Sequence, residues 1–540
     1  MPDRLRTAIV PAIVLMWLCV ACQDVTGSGV PTATLAGVSP AMTATTTLTA
    51  TPATLQPTRT TQPLPATVTP SATALPSSTP TPPQLFFVAV PPFWEQETLA
   101  AVAATGAGTR WQVVTSGDPQ LMLDQAAAQA ALLPGDEGFF AGNRPLALAV
   151  PFTTDWDGVT LPQAQDIQAN GHELVSLLPW HALTPDQRAL IIDGRHIAEP
   201  DYPLQQPWSL LALPGAEEPA ALLAQQLQRI ARPGDVQLAA VGDIMLDRGL
   251  GSSIAAGDVD FPFSFVASTL READFTVGNL ECALGDVGEP AAKSYTFRAP
   301  PLAARSISQA GFDLVSLANN HALDFGPQAL MQGLELLKAE GVATVGAGAD
   351  NESAHRSHIV QINGITLGFL GYVNVPVEGN PPYFDTASWT AGTQAPGLAW
   401  ADPQIVAADV QNLSNDVDHV IVILHSGYEY VAPPSPDQAA SAHAAIDAGA
   451  SLVIGHHAHI LQGVEFRGEG IIVYGLGNFA FNITGPAQTA ILNVWFDEIG
   501  IRQLRFLPAV VLGSGQPRLV DEPEAAGIRT QIYALSRGLN

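Results

Sequence analysis

Short apolar runs alternate with polar clusters along most of this chain, and the runs have the length and composition of buried strands. Five runs from residue 236 onward end within two residues of a carboxylate, asparagine or histidine side chain, at 236–241, 275–277, 314–318, 420–424 and 451–454. Helical spacing follows two of the clusters, up to about residue 340 and at 438–448. This alternation predicts an α/β fold. Because ligands bind beyond the carboxyl ends of strands in such folds, the polar ends can converge on one site.

The strongest chemical signal is Gly-His-His-Ala-His at 455–459, directly after the last of these runs. Imidazole is the commonest metal ligand in proteins. Residues two apart share a face of an extended chain, so His457 and His459 are predicted to lean over the same strand end. His456 is expected on the opposite side, in a structural or supporting role.

Four polar clusters upstream supply the other candidate ligands, namely Asp243, Glu281, Asn320 beside His321, and His425. Each has a structural alternative: a helix cap for Asp243, a solvated loop for Glu281, a turn for the Asn-His pair, and a buried role for His425. Carboxylate and amide oxygens with imidazole nitrogens suit divalent Mn, Zn, Fe or Mg. This many donors predicts two divalent metal ions that share a bridging carboxylate, an arrangement that holds a phosphate and activates water.

The region 85–232 is predicted to be a small α/β accessory domain. Strands are expected at 85–90 and 146–152, and helices at 96–104, 121–133, 164–168 and 220–231. The order of elements is faintly similar to part of a periplasmic solute-binding protein. No cluster of catalytic side chains stands out here, so an accessory role without catalysis is favoured, and a solute-binding sensor is the alternative.

The first 22 residues have the pattern of a secretory signal. Arg4 and Arg6 precede an apolar run at 8–21, and Cys22 then opens a polar stretch. This resembles a bacterial lipoprotein signal, which implies lipidation of Cys22 and an extracytoplasmic protein anchored to the membrane. An ordinary signal peptide and an uncleaved anchor are the alternatives. Residues 23–84 are almost entirely Thr, Pro, Ala and Ser and are predicted to be a disordered stalk.

Composition narrows the classes of partner. The apolar fraction of 47% is ample for buried cores, and the net charge of −28 argues against a nucleic-acid partner. Three cysteines exclude a disulfide framework and a cysteine-rich zinc site.

Six motifs in order carry a resemblance to a known family. They are Gly-Asp-Ile-Met-Leu at 242–246, Asn-Leu-Glu at 279–281, Ala-Asn-Asn-His-Ala-Leu-Asp-Phe-Gly at 318–326, His-Ser-Gly-Tyr-Glu-Tyr at 425–430, Gly-His-His-Ala-His at 455–459 and Gly-Leu-Gly-Asn-Phe at 475–479. They resemble the bacterial capsule-synthesis CapA family, which is associated with poly-γ-glutamate and is similar in fold to calcineurin-like metallophosphoesterases. The resemblance predicts such a domain at 235–515, followed by a C-terminal tail at 516–540.

The resemblance implies a four-layer α/β/β/α sandwich with metals at the strand ends. Carried over by position, Asp243 and His459 would bind the first metal, Glu281 would bridge, and Asn320, His425 and His457 would bind the second. His321 would be the catalytic acid or would orient a phosphate. Two features depart from the general phosphoesterase pattern: Met245 stands where a histidine ligand is usual, and the bridging carboxylate comes from Asn-Leu-Glu.

Two functions follow from these expectations. The first is a surface-anchored, metal-dependent hydrolase that acts on a phosphoester or an anionic capsule-type polymer, with the amide bonds of poly-γ-glutamate as an alternative substrate. The second is a non-catalytic accessory protein that binds an anionic polymer through metals, as part of a capsule-synthesis machinery. The missing ligand at Met245 leans toward the second.

Overall fold

Three large sheets organise the part of the chain described by the computed structural model, residues 84–105, 110–199, 201–229, 236–379, 383–482 and 485–540. The predicted signal at 1–22 with Cys22, and the stalk at 23–84 except for its last residue, lie outside these ranges. Within them, no helix combines the length and the apolar character needed to cross a bilayer.

The N-terminal sheet has the order β2-β1-β3-β9-β4-β6, with β7 also paired to β4. Its region contains strands β1 (Leu85–Val90), β2 (Arg110–Thr115), β3 (Ala130–Pro134), β4 (Phe139–Pro151), β5 (Gly158–Val159), β6 (Ser176–Pro179), β7 (Gln187–Ala189), β8 (Ile191–Ile192) and β9 (Gln205–Ala212). The helices are α1 (Glu95–Ala104), α2 (Pro119–Asp124), α3 (Leu161–Asn170) and α4 (Glu217–Arg229). Strands therefore alternate with helices here, as the sequence predicts.

The helix expected at 121–133 is wrong in its second half. Helix α2 ends at Asp124, Ala126 adopts a left-handed φ of 53°, and the chain continues as strand β3. Strand β3 lies between β1 and β9 and is buried at Ala130, Ala131 and Leu132. Pairing on both edges outweighs the helical propensity of the alanines in this segment, because propensity is a weak preference beside tertiary packing.

The second sheet has the order β15-β14-β11-β10-β27-β28-β29, with β26 also paired to β10. Its first part comes from β10 (Val236–Met245), β11 (Phe275–Leu280), β14 (Leu314–Ser316) and β15 (Ala343–Val345), all parallel to their neighbours in that group. Small strands β12 (Ala283–Leu284), β13 (Arg298–Ala299) and β16 (Ala347–Gly348) lie outside the sheet. The helices are α5 (Arg248–Ala255), α6 (Ala267–Leu270), α7 (Ala303–Ala310), α8 (Gly326–Ala339) and α9 (Asn351–Ala354).

The third sheet has the order β17-β18-β22-β23-β25-β24, and its four inner strands are parallel. These strands are β17 (His358–Ile362), β18 (Ile365–Asn374), β22 (His419–Ser426), β23 (Leu452–His456), β24 (Val464–Arg467) and β25 (Gly470–Val473). Short strands β19 (Val377–Glu378) and β20 (Phe384–Asp385) form an antiparallel pair, and β21 (Gly397–Leu398) pairs with β16. Helices α10 (Pro403–Leu413) and α11 (Pro436–Asp447) lie in the same region.

The chain then returns to the second sheet and completes it. Strands β26 (Asn478–Phe481), β27 (Gln488–Phe496), β28 (Ile501–Val511) and β29 (Pro517–Leu519) are followed by helix α12 (Glu524–Ser536). The segment 516–540, expected to be a C-terminal tail, thus carries β29 and α12. Ile528 and Ile532 of α12 are fully buried in the core between the second and third sheets.

The alternation of side chains along each strand produces the predicted α/β/β/α sandwich. In β22, Ile421 and Ile423 face the core that also contains Leu238 and Val277 of the second sheet. The intervening Val422 belongs instead to a separate core with helices α10 and α11. A third core covers the other side of the second sheet with residues of α5, α7 and α8. Strands buried on both faces explain the continuous apolar runs of the sequence.

The N-terminal region packs directly onto the sandwich. Phe152 is 2% exposed and lies in the core between the second and third sheets. Its ring centroid is 5.1 Å from that of Phe466 and 5.2 Å from that of Tyr533. In the opposite direction, Trp495 of β27 enters the core of the N-terminal region and stacks on His196, with ring centroids 4.9 Å apart. The two regions therefore share apolar cores.

Candidate metal centre

The candidate site lies where the carboxyl ends of the parallel strands in the second and third sheets face each other. The second sheet contributes Asp243 within β10, Glu281 directly after β11 and Asn320 after β14; the third contributes His425 within β22, and His457 and His459 after β23. All six side chains are buried, with exposed fractions of 0 to 6%. Residues more than 200 positions apart in sequence meet here because both sheets end at the same edge.

The ligand-type atoms are close enough for two cations that share one carboxylate. One ligand atom each from Asp243, Glu281 and His459 lie within 4.8 Å of one another, and the same holds for Glu281, His425 and His457. The Oδ1 atom of Asn320 lies 2.7 Å from Nε2 of His425. The structure therefore brings the six predicted ligands together, with Glu281 between the two groups, while their binding of metal stays a prediction.

Two close backbone approaches position Asp243. A Cβ atom on Gly242 would lie 1.9 Å from the carbonyl oxygen of Gly477, so only glycine fits there. The register between β10 and β11 shifts between Ala240 and Asp243, and the amide of Asp243 donates to the same carbonyl at 3.0 Å. This bulge directs the Asp243 carboxylate into the site instead of leaving it in a regular strand.

The histidine cluster is held by left-handed backbone. His457 and His459 have φ values of 85° and 56°, a conformation that costs energy for residues other than glycine and is concentrated at functional sites. The strand ends at His456, so the alternation of faces stops there. The expectation that His456 points to the opposite side is wrong: its Nδ1 lies 3.0 Å from Oδ1 of Asp243, where it supports that carboxylate.

Burial and close charges shift the pKa values of the candidate ligands in opposite directions. Burial, reinforced by the charge of Asp243, raises the pKa of the Glu281 carboxyl well above its ordinary value. Burial lowers the pKa of His425 well below its ordinary value and that of His457 to about 3. Burial also opposes charging of His459, but Glu281 and Asp243 outweigh it and raise its pKa to about 10. When no metal is bound, the pKa shifts therefore favour the protonated forms of Glu281 and His459 and the neutral forms of His425 and His457.

Orphaned polar atoms in the centre fit a bound cation. Three buried atoms have no hydrogen-bond partner within the described ranges: both carboxylate oxygens of Glu281 and the Nδ1 atom of His457. A buried polar group without a partner costs roughly 1–3 kcal/mol, and more when it is charged. Divalent cations would satisfy these atoms, and the oxygen and nitrogen donors match the preferences of such ions. The residues present thus fit a metal centre.

Asparagines that the sequence motifs contain, but to which no role was assigned, support the ligands. Asn279 donates to Oδ1 of Asp243 at 2.9 Å, and Asn319 donates to Oδ1 of Asn279 at 3.1 Å. Asn478 Oδ1 lies 2.9 Å from Nδ1 of His459. These contacts fix the rotamers of side chains that would bind metal, as outer partners do in metal sites. The signal was the presence of each asparagine in a motif at a strand end.

A second charged cluster adjoins the predicted catalytic histidine. His321 Nδ1 lies 2.7 Å from Asp324 Oδ2, and the ammonium of Lys293 lies 2.7 Å from Asp324 Oδ1 and 2.6 Å from Glu378 Oε2. Sequence reasoning missed Lys293 and Glu378. The available signal for Lys293 was rarity, since this chain of 540 residues contains only two lysines beside twenty arginines.

Met245, the position of the absent histidine ligand, lies in the apolar core. Its side chain is 0% exposed and packs with the residues that join β10 to the outer helices, and its sulfur accepts from the amide of Asp247 at 3.3 Å. Cys282 is likewise buried, as a small core residue. Position 245 is therefore part of the scaffold, and the ligand set is one short of the usual phosphoesterase pattern.

A four-layer α/β/β/α sandwich with carboxylates and histidines gathered at its strand ends defines the calcineurin-like metallophosphoesterase class of folds. Within that class, the family described as bacterial capsule synthesis protein PGA_cap matches residues 237–483. The chain belongs to this family. The match spans all six predicted ligands and the candidate catalytic His321.

Relatives of this chain are named for capsule or poly-γ-glutamate (PGA) biosynthesis. The capsule biosynthesis protein CapA of Bacillus anthracis is 30% identical over 290 residues, which cover 52% of this chain and 68% of the relative. The PGA biosynthesis protein CapA of Bacillus subtilis is 30% identical over 245 residues, covering 45% of this chain and 62% of the relative. A probable polyglutamine synthesis accessory protein of Mycobacterium tuberculosis is 33% identical over 222 residues, covering 39% and 57%. The alignments thus leave part of every one of these relatives unmatched.

Proposed function

We propose that this protein is a metal-dependent hydrolase of the phosphoesterase type that acts in capsule or poly-γ-glutamate synthesis. The observation that carries the proposal is the carboxylate of Glu281, buried between two groups of ligand-type atoms with both oxygens unsatisfied. A fold retains such a carboxylate at a cost unless a cation compensates it. The names of the relatives support the biological setting, which is the assembly of an anionic polymer.

The residues divide between two cation positions. Asp243 and His459 would hold the first ion, Asn320, His425 and His457 would hold the second, and Glu281 would bridge them. When bound, two such ions supply Lewis acidity toward a phosphoryl or carbonyl oxygen. The imidazole donors favour Zn and Fe over Mg, while the carboxylate and amide oxygens also suit Mn.

His321 is the residue that would handle the proton of the leaving group. Its Nδ1 lies 2.7 Å from a carboxylate oxygen of Asp324, which fixes the ring and leaves Nε2 as the atom that faces a substrate. The ring also lies on Phe297, with centroids 4.4 Å apart, so it has little freedom to rotate. A positioned imidazole of this kind contributes roughly 10²–10⁴-fold as a general acid.

A non-catalytic accessory role is the second candidate. It is favoured by Met245, which replaces one expected ligand with a core side chain, and by the relative described as an accessory protein. In that role the same centre would bind the carboxylates or phosphates of an anionic polymer through its metals without turnover.

Metal analysis combined with a turnover screen separates the two. The full chain, His457→Ala and the control His443→Ala are purified, analysed for metal, and assayed on phosphoesters and on γ-glutamyl oligomers. His443 lies on helix α11, outside the centre, and its Nε2 atom is 2.9 Å from Oε1 of Glu465. Two equivalents of metal with turnover lost only in His457→Ala supports the hydrolase. Bound metal without turnover on any substrate supports the accessory role, and absence of metal from the wild type contradicts both.

We further propose that the protein is extracytoplasmic and held at the membrane by a lipid on Cys22. The basic start, the apolar run and the cysteine of the first 22 residues support this. Growth of an expressing bacterium with a labelled fatty acid should label the wild type but not Cys22→Ala. Equal labelling of both proteins would contradict lipidation at this residue.

A further inference from the structure

Lys293 is a buried cation beside the candidate centre. Its side chain is 1% exposed, and its ammonium lies 2.7 Å from Asp324 Oδ1 and donates to the carbonyl oxygen of Asn320 at 2.6 Å. The rings of Trp389 and Phe384 lie 5.1 and 5.9 Å from the same nitrogen. One carboxylate, one carbonyl and two aromatic faces therefore already stabilise this charge.

Glu378 adds a second carboxylate to this cation from a different part of the fold. It lies in β19, whose pairing with β20 carries it over the loop that contains Lys293. Its side chain is only 10% exposed, whereas the neighbouring Val377 is 55% exposed. Glu378 is thus directed into the site, whereas Val377 beside it faces away.

Three nitrogen atoms surround the Glu378 carboxylate. Oε2 lies 2.6 Å from Nζ of Lys293 and accepts from Nδ2 of Asn320 at 3.1 Å, while Oε1 lies 3.7 Å from Nε2 of His321. Two of these donors belong to residues that the centre itself uses. Glu378 is not part of either group with metal-ligand spacing in the described residues. It therefore occupies a position that faces the centre without being a ligand of it.

The charges show that Glu378 is replaceable. Asp324 alone balances the Lys293 ammonium, and it also accepts from the backbone amide of Phe297 at 2.7 Å, so it is built into the scaffold. Removal of the Glu378 carboxylate would leave the Lys293–Asp324 pair intact. It would also free the amide of Asn320 and the imidazole of His321 to bind another anionic group. The ammonium of Lys293 would attract that group, because it is a compact point charge.

We propose that Lys293, Asn320 and His321 form an anion subsite for a ligand carboxylate, and that Glu378 occupies it from within the chain until such a ligand displaces it. The proposal deepens the proposed function, because the subsite adjoins the candidate metal centre. The ligand class follows from the present occupant, a carboxylate on a flexible stem of two methylene groups. A phosphate group shares the anionic chemistry and is the alternative source that the experiment distinguishes.

The test measures anion binding to the full chain by calorimetry, with glutarate and inorganic phosphate as probes, at fixed ionic strength. Each titration is run on EDTA-treated protein and on protein loaded with Mn²⁺. The variant Glu378→Gln keeps the shape of the side chain and removes its charge. Glu429→Gln is the matched control, because Glu429 is also a glutamate whose charge reaches the centre but is exposed and outside the subsite.

Glu378→Gln should lower the Kd for glutarate about tenfold, the change that roughly 1.4 kcal/mol produces. Glu429→Gln should change it less than about twofold, since exposed charges are screened. The double variant Lys293→Met with Glu378→Gln should lose the gain. A larger gain for phosphate than for glutarate would overturn the carboxylate assignment.

An equal effect of the two glutamate variants, or weaker glutarate binding in Glu378→Gln, would overturn the subsite. If Glu378→Gln does not fold, Glu378→Asp, whose stem is one methylene shorter, should give a gain of the same sign. The proposed function fails separately: a protein without metal in which Glu378→Gln still tightens glutarate binding keeps the subsite and loses the hydrolase. Bound metal with no effect of Glu378→Gln on glutarate binding keeps the proposed hydrolase and overturns the subsite.

Discussion

Replacement of Glu281 by methionine should stabilise the protein when no metal is bound. With metal bound, the same variant should be less stable than the wild type. Glu281 is 0% exposed, and among the residues that the structure describes neither of its oxygens has a hydrogen-bond donor. Methionine has a similar length and no polar group that needs a partner, so Glu281→Met removes both orphaned oxygens without creating a large cavity.

The magnitude follows from the structure. Two unsatisfied buried oxygens cost roughly 1–3 kcal/mol each. Their loss is partly offset by the lost attraction to His459, whose Nε2 lies 3.8 Å from Glu281 Oε1. We expect the metal-free variant to gain about 1–3 kcal/mol in free energy of unfolding. The raised pKa of Glu281 means that the native state keeps a proton which the unfolded state loses above pH 4.5, so the advantage of the variant grows as the pH rises.

Metal should reverse the order of the two proteins. A ligand at about 1,000 times its Kd stabilises the native state by about 4.1 kcal/mol, more than the gain of the metal-free variant, and the variant lacks the bridging carboxylate needed for this stabilisation. Urea unfolding at pH 7.5, in EDTA and in excess Mn²⁺, measures both effects. The control is Glu465→Met, because Glu465 accepts from Tyr474 at 2.7 Å and pairs with His443 away from the centre.

Glu465→Met should lose the same free energy of unfolding in EDTA and in excess Mn²⁺. A loss of stability in EDTA as large for Glu281→Met as for Glu465→Met would contradict the cost assigned to the two orphaned oxygens. Equal stabilisation of Glu281→Met and the wild type by Mn²⁺ would contradict the bridging role of Glu281.

Three further predictions test the centre and its scaffold. Binding of Mn²⁺ at pH 7 should release protons, because ligation needs the neutral imidazole of His459, whose pKa is raised to about 10, and calorimetry in buffers of different ionisation enthalpy would show this; heats independent of the buffer would contradict it. Metal-free Glu281→Met should lose stability as the pH falls below 6.5, by up to about 1.4 kcal/mol per pH unit for each of His425 and His457, because the native state resists protons that the unfolded state binds. Urea unfolding between pH 7.5 and 5.5 that shows constant stability would be inconsistent with these pKa shifts. Phe152→Ala should lower the free energy of unfolding by roughly 3–5 kcal/mol, whereas Phe140→Ala, at a side chain 43% exposed, should cost far less, and equal losses would contradict the shared core.

Local pattern was sufficient for the central strands and for two of the long helices. The runs at 420–424 and 451–454 became β22 and β23, and the helical spacing before residue 340 and at 438–448 became α8 and α11. These segments are buried on both faces or carry one apolar stripe, so their composition and periodicity reflect their final environment. The helix at 121–133 failed because pairing with β1 and β9 competes with propensity and is invisible in the segment itself.

The sequence by itself determined which side chains end the strands, and therefore that Asp243, Glu281, Asn320, His425, His457 and His459 meet at one edge of the fold. Only the tertiary structure decided what lies around them. His456 turns toward Asp243 because the strand stops at that residue, and Glu378 reaches Lys293 from a hairpin 85 positions along the chain. The physical reason is that strand polarity and burial are local properties, whereas the partners of a buried charge are chosen by how separate segments pack.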